Sequence, residues 1–285
     1  MKKKNIGIPS AIYLVVVALF LYAPILLIVF FSFFGQSGVN FSTQSGFSFD
    51  SYGAIFNSGD TTEALFSAIG NTFLIAAIAC VISTLLGSIS AIGIFHLGKR
   101  MKSIVNNINQ WPIISSEIVT AFSFVLFFST LGISDGMTRL ILAHVTFCTP
   151  YVVLAVMPRL YQMDGNVYEA ALDLGATPLR ALFTVEIPML SGGIISGAVM
   201  AFTMSLDDFI ITQLNKGTTG IETLSTYLYQ DGAKRGLEPF WFAVFSVIFV
   251  IILLIVLFSN LRKKTALHTI GPKDKKIEID GGLVK

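Results

Sequence analysis

Apolar runs of about 20 residues, each long enough to cross a hydrocarbon layer, recur along the chain at 12–34, 69–95, 112–130, 137–160, 190–214 and 239–260. Short polar stretches separate them, and the pattern predicts an all-α membrane protein with six transmembrane helices. On this reading 1–11 is a short amino-terminal segment, 12–260 is the membrane domain with a polar loop at 161–189, and 261–285 is a charged tail. Three lysines precede the first run, as in a signal peptide. That run is too long for a signal core and no small-residue cleavage site follows, so it is expected to be a retained helix. The stretch 35–67, rich in Ser, Gly and Phe, reads as a loop with a short amphipathic piece, and 223–230 reads as a short helix.

Two of the runs carry a finer pattern. Ala79, Ser83, Gly87 and Ala91 fall at every fourth position of the second, and Gly193, Gly197 and Ala201 do so in the fifth. Small residues so spaced share one helix face and let backbones approach where water cannot drive association. These two faces are expected to be packing faces.

Composition agrees and narrows the class. The chain has 285 residues, 54% of them hydrophobic and 13% charged, with a mean hydropathy of +0.76, which excludes a soluble globular domain. Cys80 and Cys148 both lie in apolar runs, which suggests neither a disulfide framework nor a metal site. The placement of lysine and arginine is more informative than the net charge of +2. With the amino terminus in the cytoplasm, fifteen of them fall on that side, and only Arg139, Lys216, Lys234 and Arg235 fall on the other. This bias predicts cytoplasmic termini and a cytoplasmic 161–189 loop.

Ionisable side chains inside a span cost roughly 2.5–3.5 kcal/mol on insertion scales and mark candidate function. Asp207 and Asp208 lie in the fifth run, roughly 10 Å below its outer end at about 1.5 Å per residue. Ser205 and Thr212 stand three and four residues from Asp208, on its helix face. The pair reads either as an anionic station for a cationic substrate or as a carboxylate bridge between helices. Glu117 lies nearer the cytoplasmic end of the third run, after Trp111-Pro112, where a packing role is the simpler reading. His144 lies at the depth of the acidic pair, where it lines the same cavity or bonds a neighbouring backbone. No phosphate-binding Gly-x-x-x-x-Gly-Lys-Ser/Thr loop occurs, nor His-Glu-x-x-His, nor Gly-x-Ser-x-Gly.

The polar loop holds the most distinctive motif. Glu169-Ala170-Ala171-Leu172-Asp173-Leu174-Gly175 consists of helix formers closed by a glycine suited to the left-handed conformation, and Pro178 is placed to open another helix. With Val185, Ile187 and Pro188 beyond it, this helix-turn-helix resembles the loop by which permeases of binding-protein-dependent bacterial ABC importers dock on their ATPase. Family members most often carry Ile and Leu where this chain has Val185 and Ile187. Together with Ala143-His144-Val145-Thr146-Phe147, Pro150-Tyr151-Val152-Val153 and the run Ala201-Phe202-Thr203-Met204-Ser205-Leu206-Asp207-Asp208-Phe209, it resembles the second membrane subunit of the spermidine/putrescine branch. The likeness spans roughly residues 70 to 260.

That resemblance implies a type I importer permease fold in the bacterial plasma membrane. It also implies two ATPase copies, a second homologous permease and an external polyamine-binding protein as partners. Glu169, Ala170, Ala171, Asp173, Gly175, Val185, Ile187 and Pro188 then belong to ATPase coupling, and Asp207, Asp208, Ser205, Thr212, His144 and Glu117 to the substrate pathway. The chain itself needs no cofactor, ATP and magnesium being bound by the partner, and no nucleic-acid partner is expected. The same architecture could carry thiamine, ferric iron or another small solute. A membrane-embedded enzyme using Asp207, Asp208 and His144, or a structural subunit of another complex, leaves the loop unexplained.

Overall fold

The computed structural model describes residues 8–34, 46–57, 59–235 and 239–269. The described chain is helical almost throughout and divides into two units. One unit contains α1 (Ile8–Phe31), α2 (Asp50–Asn57) and α12 (Pro239–Thr269). Its α2 is the amphipathic piece expected after the first run. Tyr52 of α2 hydrogen-bonds Ser32 at 2.6 Å and donates to Ser246 of α12 at 3.2 Å, while Phe33 and Phe49 lie against its ring and Phe47 stacks on Phe33. α1 is apolar along its span and packs on α12, with no residue of Ile12–Phe31 fully buried. α12 extends nine residues past 260, into what reads from sequence as the charged tail; residues 270–285 lie outside the described residues.

The other unit holds a core of three helices, α3 (Asp60–His96), α6 (Met137–Gln162) and α9 (Ile187–Leu206), packed on one another. α6 is central: Leu140, Phe147, Val152, Val156 and Leu160 are all buried, as befits a helix that is apolar on every side. α3 begins nine residues before the run predicts and measures about 55 Å at 1.5 Å per residue.

Both small-residue faces pack on α6. A Cβ on Gly87 would stand 2.6 Å from the Cβ of Val152, and one on Gly197 would stand 3.0 Å from a Val152 methyl. Val152 therefore projects between the two stripes. Gly87→Ala is expected to destabilise the protein by roughly 1–3 kcal/mol through overpacking, read as a lower melting temperature in detergent. Gly93→Ala, on the same helix with nothing within 4 Å of its new methyl, is expected to be neutral or stabilising.

Two predicted spans are broken. The run at 112–130 splits into α4 (Lys99–Ile114) and α5 (Glu117–Thr130), bent by 106°. Ser115 and Ser116 between them both adopt extended backbone angles, and the Ser115 amide and hydroxyl each donate to the Trp111 carbonyl. Serine competes in this way with the helical hydrogen bonds. Likewise α9 stops at Leu206 and a short α10 (Ile210–Asn215) follows. Among the described residues four helices are long and apolar enough to cross a membrane, or five if the bent pair counts as one, and α12 adds the shorter apolar stretch Phe240–Leu254.

Four further elements are described in this unit. α7 (Gly165–Asp173) and α8 (Pro178–Ala181) lie between α6 and α9. α8 runs into a single π-helical turn, Leu182–Glu186, which α9 continues. α11 (Leu224–Arg235) covers the short helix expected at 223–230.

Candidate functional site

The break after α9 gives Asp207 and Asp208 different surroundings. Asp207 ends the helix and is exposed. Asp208 turns inward and caps α10: its carboxylate accepts from the amides of Ile211 at 3.3 Å and Thr212 at 2.8 Å, and from the Thr212 hydroxyl at 2.9 Å. A carboxylate placed at the orphan amides of a helix start is the usual answer to their missing partners.

His144 of α6 completes this cluster. Its Nδ1 lies 2.8 Å from the Ser205 hydroxyl and its Nε2 3.0 Å from the Thr212 hydroxyl. Thr212 spends its proton on Asp208, so it accepts from Nε2–H, and the Ser205 hydroxyl donates to Nδ1. A neutral imidazole with its proton on Nε2 satisfies every member. The Ser225 hydroxyl of α11 donates to the Asp208 carbonyl at 2.8 Å. Ser205, Asp208, Thr212 and His144 thus form a buried, mutually saturated joint between α6, α9, α10 and α11.

The exposed carboxylates lie one at each break, Asp207 after α9 and Glu117 after the bend between α4 and α5. Glu117 opens α5 and is exposed. From sequence it reads as nearer the cytoplasmic end than the acidic pair. The bend between α4 and α5, and the packing of α5 on α10, bring it within electrostatic reach of both Asp208 and Asp207. Tyr151, partly exposed on α6, interacts with Glu117 and pairs its ring with Phe147 at 5.3 Å between centroids. In the sequence Tyr151 stands only within the Pro150-Tyr151-Val152-Val153 run, and nothing there marks it as a candidate contact. The neighbouring cations are occupied: Arg139 pairs with Asp135 and donates to the Val125 carbonyl at 2.8 Å, and Lys216 meets Glu222 at 2.5 Å.

The polar loop folds as its spacing predicts. Asp164 caps α7 by accepting from the Asn166 amide at 3.1 Å. Gly175 takes a φ of 90°, the Gly175 amide reaches Leu172 and the Ala176 amide reaches Ala171, a left-handed helix ending that a residue with a Cβ adopts only under strain. Thr177 caps α8, with Pro178 in its first turn. Glu169, Ala170, Asp173, Gly175 and Pro188 are exposed, whereas Ala171, Val185 and Ile187 are half-buried.

The loop also exposes apolar residues that spacing does not single out. Leu174 is 90% exposed, Leu179 69% and Phe183 64%. Large apolar side chains left this exposed within ten residues, Leu174 to Phe183, are what a partner-binding surface offers. Glu186, between Val185 and Ile187, is 1% exposed. Its position as the only acid in a hydrophobic-x-hydrophobic-Pro motif is the signal that could have drawn attention to it.

Residues 83–266 match a family described as the binding-protein-dependent transport system inner membrane component. Among curated proteins, the chain is 35% identical over 227 residues to the putrescine transport system permease protein PotI of Escherichia coli K12, covering 77% of this chain and 78% of that one. It is 31% identical over 266 residues to the spermidine/putrescine transport system permease protein PotC of the same strain, covering 92% and 96%. A chain of a bacterial ABC transporter that imports the acidic polysaccharide alginate superimposes with a TM-score of 0.69 at 17% identity, covering 92% of this chain and 98% of that one. The same kind of transporter bound to a periplasmic protein carrying an alginate pentasaccharide gives 0.65 at 19% identity, covering 91% and 94%.

Proposed function

Because the chain belongs to the binding-protein-dependent inner-membrane permeases, we propose that it is the permease subunit of a polyamine importer and that its exposed acidic break conducts the substrate. Members of this family are multi-pass proteins of the bacterial plasma membrane and transport subunits rather than enzymes, ATP hydrolysis being the task of a separate ATPase.

The observation that carries the substrate reading is the sharing of one electrostatic neighbourhood by Glu117 and Asp207, both exposed, with Tyr151 within electrostatic reach of Glu117. Spermidine and putrescine are flexible chains with several ammonium groups, and such cations are attracted by carboxylates and aromatic faces. Asp208, His144, Ser205 and Thr212 stand behind as the scaffold that sets the break. Affinity for free polyamine is low on this reading, since a binding protein makes the capture.

The loop supplies the drive. Two ATPase copies bind ATP and magnesium, one docking on Glu169, Ala170 and the exposed apolar residues of α7, α8 and the π-turn, while a second permease subunit completes the pathway. Closure of the ATPase pair moves α7 and α8 as a lever, and the spans alternate between two openings.

In proteoliposomes holding the whole complex, labelled spermidine uptake is expected to fall with unlabelled putrescine or spermidine and to ignore thiamine and ferric iron. Asp207→Asn combined with Glu117→Gln is expected to lower uptake about tenfold, the equivalent of about 1.4 kcal/mol, at unchanged membrane level. Competition by thiamine or iron alone would move the cargo to another solute of the same architecture. Full uptake by the double variant would remove the carboxylates from the pathway.

A further inference from the structure

α3 ends at His96, where a line of aromatic rings crosses between elements. Tyr161 of α6 meets Phe95 edge-on at 5.7 Å, Phe95 neighbours His96 at 5.5 Å, and His96 faces Tyr168 of α7 at 5.9 Å. The Lys102 ammonium of α4 sits 4.4 Å from the Phe95 ring centre. The end of α3 is thereby joined to α4, α6 and the first helix of the docking loop. His96 Nδ1 lies 3.0 Å from the Ile92 carbonyl. Nδ1–H donates there, which leaves Nε2 without a partner among the described residues.

Glu186 closes the π-turn that follows the docking helices. Its side chain is buried and Oε1 has no hydrogen-bond partner among the described residues. A carboxylate withdrawn from water without a counter-charge is costly. The ionisable group that acts on it electrostatically is His96. Of the elements packed on the π-turn, α9 carries no charged residue, Arg180 of α8 and Glu169 and Asp173 of α7 are exposed, and Tyr168 of α7 faces His96. Neither His96 nor Glu186 has a part in the pathway or in the docking surface.

We propose that His96 and Glu186 are positioning residues that form a latch, open in this arrangement and closed when the ATPase drives the docking helices toward α3. In the closed state His96, which keeps its Nδ1–H on the Ile92 carbonyl, takes up a proton from the water it is exposed to, and the resulting Nε2–H donates to the buried Glu186 carboxylate, a charge-assisted bond between the end of α3 and the root of α9. The lever then pulls α3, and with it α6 and α9. The latch rests on the reading of α7 and α8 as the ATPase-driven element.

The test uses the reconstituted complex and reads substrate imported per ATP hydrolysed. His96→Gln and Glu186→Gln are each expected to lower that ratio about tenfold with normal assembly and basal ATPase, and the double variant is expected to be no worse than either. His96→Lys, which keeps a donor cation, is expected to retain coupling beside Glu186 and to lose it beside Glu186→Gln. Losses that multiply in the double variant, or singles that couple normally, overturn the proposal.

His96 is exposed, so its variants carry the test if Glu186→Gln fails to accumulate. A His96→Cys/Glu186→Cys pair is expected to cross-link, as identified by mass spectrometry, several-fold faster in the ATP-bound complex than in the nucleotide-free one. Equal rates overturn the latch. If the unaltered complex moves no polyamine, the cargo assignment fails, and the cross-linking result still decides the latch.

Discussion

Leu174→Asp is expected to release the ATPase from the permease and to abolish uptake while the permease stays folded in the membrane. Leu174 follows α7 directly and is the most exposed large apolar side chain on the loop, with Leu179 and Phe183 completing its patch. Covering a leucine contributes about 1.5–3 kcal/mol. An aspartate in its place adds the cost of a carboxylate with no counter-charge in a dry contact. A combined loss of about 4 kcal/mol weakens docking roughly 1,000-fold. A side chain this exposed contributes little to the permease's own stability, so its melting temperature is expected to hold. Co-purification of the ATPase with tagged permease measures the effect. Undiminished recovery would show that this patch is not where the ATPase binds.

Asp208→Ala is expected to act in the opposite way, removing the protein rather than its partner. Three hydrogen bonds end on this carboxylate. Without it two α10 amides lose their cap, and Thr212 loses the acceptor that fixes its proton, and with it the order of the His144 and Ser205 bonds. Unsatisfied buried groups of this kind cost about 1–3 kcal/mol each. Two of them are a large share of a total stability of roughly 5–15 kcal/mol. Membrane level and melting temperature are expected to drop sharply for Asp208→Ala and to stay unchanged for Asp207→Ala. An Asp208→Ala protein that accumulates normally and fails only in uptake would return Asp208 to the substrate pathway.

The helical class and the helix-turn-helix of the polar loop were legible because they depend on local chemistry: long apolar runs, a glycine where φ must be positive, a proline where a helix opens. The small-residue stripes were legible for the same reason, although only the structure shows that Gly87 and Gly197 both accommodate Val152. The broken spans were not. Ser115-Ser116 and Asp207-Asp208 sit inside runs whose summed hydropathy hides a few polar residues, and a helix projected through them gives Asp207 and Asp208 the same fate. The joint of His144, Ser205, Asp208 and Thr212 was half legible: Ser205 and Thr212 lie at helical spacing from Asp208, but Ser205 bonds His144, 61 residues away. That Glu117 shares a neighbourhood with the acidic pair was not legible, because a bend of 106° is invisible to counting residues. His96, Tyr151 and Glu186 owe their interest to neighbours distant in sequence.

The π-turn at Leu182–Glu186 gives the root of the lever a spare residue. A wider turn holds one residue more than the α-helix around it needs, and Pro188 just beyond offers no amide to pull that turn tight. Flanking helices keep their faces across such a bulge. The joint can therefore shed or regain its extra residue's worth of winding while α9 keeps its packing face on α6 and α8 keeps its docking face outward. On the proposed reading of the loop, stroke at an ATPase and register in the membrane become separately adjustable, as in a drive shaft fitted with a splined coupling.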